Sequence, residues 1–388
     1  MYYQLFNDTE YYEFNNINYL DTLDNKSNIE LLNCYDNKLT ELPELPINLN
    51  SLYCHNNQLT QLPKLPDSLI ELDCTFNELT HLPQLPHNLI ELYCSYNKLT
   101  ELPQLPNNLK YLYCNNNQLT NLPKLPINLK KLYCSNNQLT QLTHLPLNLI
   151  ELYCNNNKLT QLPQLLNSLI ELYCDNNQLT ELPQLPNNLK ILYCNSNKLT
   201  QLPELPNNLE YLYCNNNELT KLPHLPDSLI ELYCNNNLLT QLPKLPDSLI
   251  ELYCNNNHLT QLSDLPNNLK ILYCNSNKLT QLPQLPSNLY ILNCDNNQLT
   301  QLQDNITHLY CGYNQLTFIP KLPSNLNFII CSNNSKNLHK YIIHCKSLYY
   351  YKKYNKYKYI NTLNELLNYT IKNYYYFRII KYYEKKYN

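Results

Sequence analysis

The stretch ELYCNNNKLTQLP, residues 151–163, returns along the chain in close copies twenty residues apart, always with a cysteine in the same place. A period of this length marks an array of small units, none of which can bury its apolar face alone. The 388 residues would suffice for two or three ordinary domains, but the period overrides that expectation. The organisation expected is an N-terminal cap over residues 1–28, sixteen units over residues 29–335, and a distinct segment over residues 336–388.

One unit, LNSLYCHNNQLTQLPKLPDS (residues 49–68), shows the logic. Leu52 and Cys54 are two residues apart, so in a short strand both point to one face while Ser51, Tyr53 and His55 point to the other. The second half keeps Leu59, Leu62 and Leu65 at a spacing of three, with Pro63 and Pro66 following two of them. That spacing suits an extended, polyproline-like return with three residues per turn, and the prolines exclude a regular α-helix.

The 17 cysteines fall into this frame. Fourteen of them, Cys34 to Cys294, lie in steps of twenty; Cys311 and Cys331 follow, and Cys345 stands outside the pattern. Neighbouring thiols one strand spacing apart run parallel, whereas a disulfide needs Cβ atoms about 3.5–4.5 Å apart. Zinc needs four ligands converging on a point, which a ladder does not provide. The column therefore reads as small buried hydrophobes, with no metal and no cofactor. The N-terminus, MYYQLFNDTEYYEFNN, is acidic and aromatic and unlike a secretory signal, so an intracellular, cytoplasmic and reducing setting is expected. No apolar run reaches the roughly 18 residues of a membrane span.

Leu49, Leu52, Cys54, Asn57 and Leu59 fit L-x-x-L-x-C-x-x-N-x-L, which resembles the leucine-rich repeat signature with cysteine in the third apolar place. More narrowly, the units resemble the short repeats of bacterial type III secreted effectors, which also carry LPxLPxxLxxLxxxxNxLT. The residue bias and the Tyr/Lys-rich end also resemble repeat proteins of giant DNA viruses. The resemblance implies an α/β-solenoid in the broad sense, mostly β: a right-handed coil with a parallel sheet on its concave face and extended convex segments. Such effectors often carry a ubiquitin ligase domain after the repeats. Here only residues 336–388 follow, and Cys345 in IIHCKSL has no catalytic surroundings, so that activity is not expected.

Two further columns accompany the cysteines. Asn37 to Asn297, then Asn314 and Asn334, stand where each strand turns, and an amide there can serve backbone groups of its own unit and the next. Tyr93, Tyr113, Tyr133, Tyr153, Tyr173, Tyr193, Tyr213, Tyr233, Tyr253 and Tyr273 alternate with the inward residues and so line the open strand face. Tyrosine combines an apolar body with a polar tip and is enriched in interface cores, although neighbouring rings could equally pack on one another to cover the sheet. Beside them lie Glu71, Glu91, Glu151, Glu171, Glu231 and Glu251, with Lys131 as the basic exception.

The stretch LPNNLKILYCNSNKLTQLP occurs unchanged at Leu185 and at Leu265, so blocks of four units have been duplicated. Growth by whole units preserves the core and lengthens the surface, which suits binding better than catalysis. Neither a convergent catalytic set nor a small-molecule substrate is expected. The reading is a noncatalytic monomeric scaffold that binds a protein partner of basic character through the Tyr/Glu face. Nucleic acid is not expected there, because phosphates require a positive surface.

The charge is divided along the chain. Residues 336–388 carry twelve Lys or Arg against two Glu, +10, so the remainder carries −13 of the overall −3. Thr362 and Glu365 form a capping box, and Leu363, Leu366, Leu367 and Ile371 follow helical spacing, which predicts a short helix. This segment would either cover the apolar end of the coil or, through YYYKKYNKYKY, contact an anionic membrane or nucleic acid. The second option supports an alternative reading of the chain as a structural or assembly protein.

Overall fold

Three-residue strands recur every twenty residues in the computed structural model, which describes residues 1–5, 11–142, 144–302, 308–317 and 328–335. The chain divides into two compact units, Met1–Asn237 and Leu238–Asn388. The predicted helix near residue 362, the basic aromatic stretch and Cys345 lie outside the described residues.

In the first unit, β1 (Tyr2–Leu5) lies antiparallel to both β2 (Tyr11–Glu13) and β3 (Ile29–Asn33). Parallel pairing then begins: β3 pairs with β4 (Ser51–Tyr53), and successive strands follow in register to Glu231–Tyr233. The second unit has the same parallel, in-register pairing, with strands at Glu251–Tyr253, Ile271–Tyr273, Ile291–Asn293, His308–Tyr310 and Phe328–Ile330. Among the described residues the only helices are two short 3-10 turns, Ile17–Thr22 and Lys26–Asn28.

The alternation expected from the sequence decides which side is core. In Glu171–Tyr173 the middle residue, Leu172, is fully buried, its two neighbours are partly exposed, and Cys174 is buried again. Leu59, Leu62 and Leu65 are buried at their spacing of three, and the return between them is neither helix nor strand. The described returns end in a tight turn; Leu69 N–H donates to Pro66 C=O at 3.1 Å, and the chain then re-enters the sheet. Here proline serves as a turn former whose missing N–H is not needed.

At the first edge β1 covers β3, and the ring of Tyr3 stacks on Tyr12 at 5.3 Å. Tyr3, Phe14, Ile17 and Leu20 are buried there. An uncovered edge strand would present unpaired backbone groups to other chains, so this hairpin gives the array a defined start.

Asparagine supplies the polar part of the core. Asn177 donates through Nδ2 to the carbonyls of Cys154, Cys174 and Asp175, each at 3.1 Å, while its Oδ1 accepts from Leu159 N–H at 3.0 Å. The amide thus joins its own unit to the preceding one, a correction to the expectation that it would serve the next. The first unit of the array shows why: Asn37 has no complete unit before it and is exposed, its Nδ2 donating to Tyr35 C=O.

Two further asparagine features were not legible as such in the repeat. Asn88, Asn108, Asn128 and Asn148 each donate from Nδ2 to a carbonyl 21 residues earlier, stitching the turns together. The residue before each core asparagine takes a left-handed backbone, with φ of 55° at Asn156 and 51° at Asn176. Asparagine tolerates that region better than most side chains, which accounts for the NNN run.

Candidate interaction surface

The sixteen cysteines of the ladder, Cys34 to Cys331, are buried thiols outside any disulfide, so sulfur faces the core. Burial pushes the Cys114 thiol up to about 12, and Cys174 is pushed well above its ordinary value by burial, with Cys194, Cys154 and Asp175 adding to it. Buried protonated thiols are poor nucleophiles. Native chain is expected to label with a thiol reagent at pH 8 at no more than one equivalent, all 17 reacting only after denaturation. Cys174→Ser should cost about 1–3 kcal/mol, because the shorter hydroxyl loses the contact its thiol makes to Tyr193 C=O at 3.3 Å. Rapid native labelling of several thiols would contradict this arrangement.

The opposite side of the strands carries the tyrosine column. In the first unit the rings from Tyr93 to Tyr233 form an unbroken series: Tyr93–Tyr113 lie 4.7 Å apart, Tyr113–Tyr133 4.6 Å, Tyr133–Tyr153 4.1 Å and Tyr153–Tyr173 4.0 Å. Tyr173–Tyr193, Tyr193–Tyr213 and Tyr213–Tyr233 continue at 4.5, 4.0 and 4.5 Å. In the second unit Tyr253 and Tyr273 stack at 4.7 Å. The parallel strand spacing of about 4.8 Å is close to a stacking distance, so in-register placement produces the column directly. The rings remain partly exposed.

The acidic neighbours engage this column. Tyr53 donates to Glu71 at 2.8 Å, Tyr133 to Glu151 at 2.5 Å and Tyr153 to Glu171 at 2.8 Å, in each case reaching the following repeat; Tyr213 donates likewise to Glu231. Tyr93 instead bonds Glu91 of its own repeat at 2.7 Å. Burial, then the bonded and charged Glu71, push the Tyr53 phenol up to about 12. Lys131 Nζ lies 2.8 Å from Glu151, so the basic exception is paired within the face. Glu251 belongs to the second unit, in register with Ile271. The sequence placed these side chains on one face, but not the hydroxyl-to-carboxylate bonds, whose signal is a glutamate eighteen residues after a tyrosine.

Beside the strand starts, a groove of about 510 Å³ is lined by Asn50, Ser68, Ile70, Asn88, Ile90 and Lys110 among others. Asn88 there is one of the turn-stitching amides, so its polar capacity is already engaged. Among the described residues no group of three His, Cys, Asp or Glu side chains is placed to hold a metal ion, and no helix is long and apolar enough to cross a membrane.

A parallel coil of short strands, with leucines, cysteine and a bridging asparagine inside, defines a leucine-rich repeat protein. The chain belongs to the leucine-rich repeat family: the model of two-copy leucine-rich repeats matches residues 87–127, and a solved relative matches over most of both chains. That relative is YopM from Yersinia enterocolitica WA-314, with 40% identity over 81% of this chain and 71% of YopM and a TM-score of 0.80. YopM from Yersinia pestis, described as a leucine-rich effector protein, is 37% identical over 82% of this chain and 91% of that one, with a TM-score of 0.70. The functional domain of InlJ from Listeria monocytogenes, described as including a cysteine ladder, is 26% identical with a TM-score of 0.61, covering 74% of this chain and 68% of that one. No curated protein sequence matches the chain. These solved structures are bacterial and give the giant-virus resemblance no support.

Proposed function

We propose that the chain is a noncatalytic scaffold that binds a basic protein partner, within a cell's cytoplasm, through the strand faces bearing Tyr93 to Tyr233, Glu151, Glu171 and Glu231 in the first unit and Tyr253, Tyr273 and Glu251 in the second. The observation that carries this reading is the partly exposed tyrosine column with carboxylates bonded along it. Stacked rings give a rigid apolar strip at little entropic cost on binding, and the acidic flank selects positive partners. Likeness to YopM, a leucine-rich effector protein, supports an interaction role. Residues 1–28 would close one end of the array.

The test uses the full chain as bait. Changing Tyr173, Tyr193 and Tyr213 together to Ala should weaken capture of its partners by at least about tenfold, as expected when aromatic anchors at the centre of an interface are removed. Melting curves establish that the triple variant remains folded. Retention of every partner would remove this face from the function. The alternative, an assembly protein anchored by its tail, rests on the +10 charge of residues 336–388.

A further inference from the structure

Asp73 interrupts the tyrosine column of the first unit. It stands in register between Tyr53 and Tyr93, where the seven following repeats from Tyr113 to Tyr233 all have tyrosine. Tyr93 stacks on Tyr113, whereas among the described residues no aromatic ring stacks on Tyr53. Two strand spacings, about 9.6 Å, separate the strands bearing Tyr53 and Tyr93. Neighbouring rings elsewhere in the column sit 4.0 to 4.7 Å apart, so the break spans one ring position, where the smaller Asp73 side chain replaces a phenol ring between Tyr53 and Tyr93.

The chemistry of the break is anionic. Glu71 and Glu91 are in register on adjacent strands, two residues before Asp73 and Tyr93. Each accepts a tyrosine hydroxyl on one oxygen, from Tyr53 and Tyr93 respectively, and each carboxylate has a second oxygen. Burial raises the Glu71 carboxyl above its ordinary range, opposed by the Tyr53 hydroxyl and reinforced by the charges of Glu91 and Asp73. His55 Nδ1 lies 3.0 Å from Asp73 Oδ2, with its ring stacked on Tyr35 outside the break, and Thr75 N–H donates to Asp73 Oδ1. The interruption of the second unit differs: Asn293 is neutral, shares its strand with Ile291 and lies between the strands carrying Ile271 and His308.

We infer that the break at Asp73 is a slot for one arginine side chain of the bound protein. A guanidinium is flat enough to continue the stack, cationic enough to face three carboxylates, and able to donate to two oxygens at once. A lysine ammonium has the charge without the flat faces, and a neutral aromatic ring would leave the carboxylates unpaired. The arginine would compete with His55 for Asp73. This inference rests on the binding face proposed above and specifies the partner residue at one point of it.

The probe is a fluorescent peptide of alternating Arg and Ser, compared with its Lys counterpart, titrated against the full chain at two salt concentrations. The Arg peptide should bind about fivefold or more tightly than the Lys peptide. Asp73→Tyr, which installs the residue found in the neighbouring repeats, should weaken Arg-peptide binding about tenfold, equivalent to about 1.4 kcal/mol, and abolish the preference. Asp73→Asn should weaken it less, and provides the same reading should the tyrosine variant melt early. Equal affinity for the two peptides, or unchanged Arg-peptide binding by both variants, would overturn the slot. Partners lost by the Tyr173, Tyr193 and Tyr213 variant alongside an unaffected Asp73→Tyr would remove the slot and keep the face. Partners retained by the triple variant, with Arg-peptide binding lost by Asp73→Tyr, would keep the slot and remove the wider face.

Discussion

Asn177→Ala should be among the most damaging single substitutions in the array, costing about 3–5 kcal/mol. It removes three bonds donated to the carbonyls of Cys154, Cys174 and Asp175 and the acceptor for Leu159 N–H. All these groups lie at or near the core, where an unmatched backbone group keeps its full desolvation cost. Because each repeat contacts only its neighbours, the loss should concentrate in residues 152–179 and be read as faster amide exchange there, as well as a lower denaturation midpoint. Asn37→Ala is the internal control: Asn37 is exposed, and its replacement should change stability by under about 0.5 kcal/mol. Similar costs at the two positions would show that the amides do not act by bridging repeats.

Leu172→Ala is expected to cost about 3 kcal/mol, within the usual range for deleting a buried leucine. Leu172 is fully buried, and its strand is held in register by Leu152 and Leu192 on either side. Those ladder bonds fix the strands, so the space left by the side chain cannot close by bringing walls together. Leu182, 7% exposed on the return, should lose less when truncated, because the return has no ladder to hold it open. Chemical denaturation of the two variants side by side checks the ordering. A cost below about 1 kcal/mol for Leu172→Ala would mean that the array relaxes around cavities.

Much of this was legible because the period repeats its own evidence. Leu52 and Cys54 two apart, and Leu59, Leu62 and Leu65 three apart, each determine which atoms face inward, and the structure buries all five. The tyrosine column followed from the same alternation. What escaped was anything that depends on which neighbour a side chain reaches. Asn177 turns back to the preceding repeat, and Tyr153 reaches forward to Glu171. The left-handed residues at Phe76 and Tyr96 also escaped, since bulky rings there run against backbone preference; their rings stack at 4.1 Å.

The sequence by itself determined the repeat, the inward sulfur and leucine, and the outward phenol, because a twenty-residue period with alternation of two leaves one way to hide apolar surface. Only the tertiary structure decided how the exposed face is wired. Side-chain bonds between the twenty-residue repeats, such as those of Asn177, join residues eighteen to twenty-three positions apart, and their direction depends on the stagger and tilt of stacked strands, which no single unit encodes. The break at Asp73 is a property of that same register: one aspartate in the chain becomes a gap between two rings only once Tyr53 and Tyr93 are brought to either side of it.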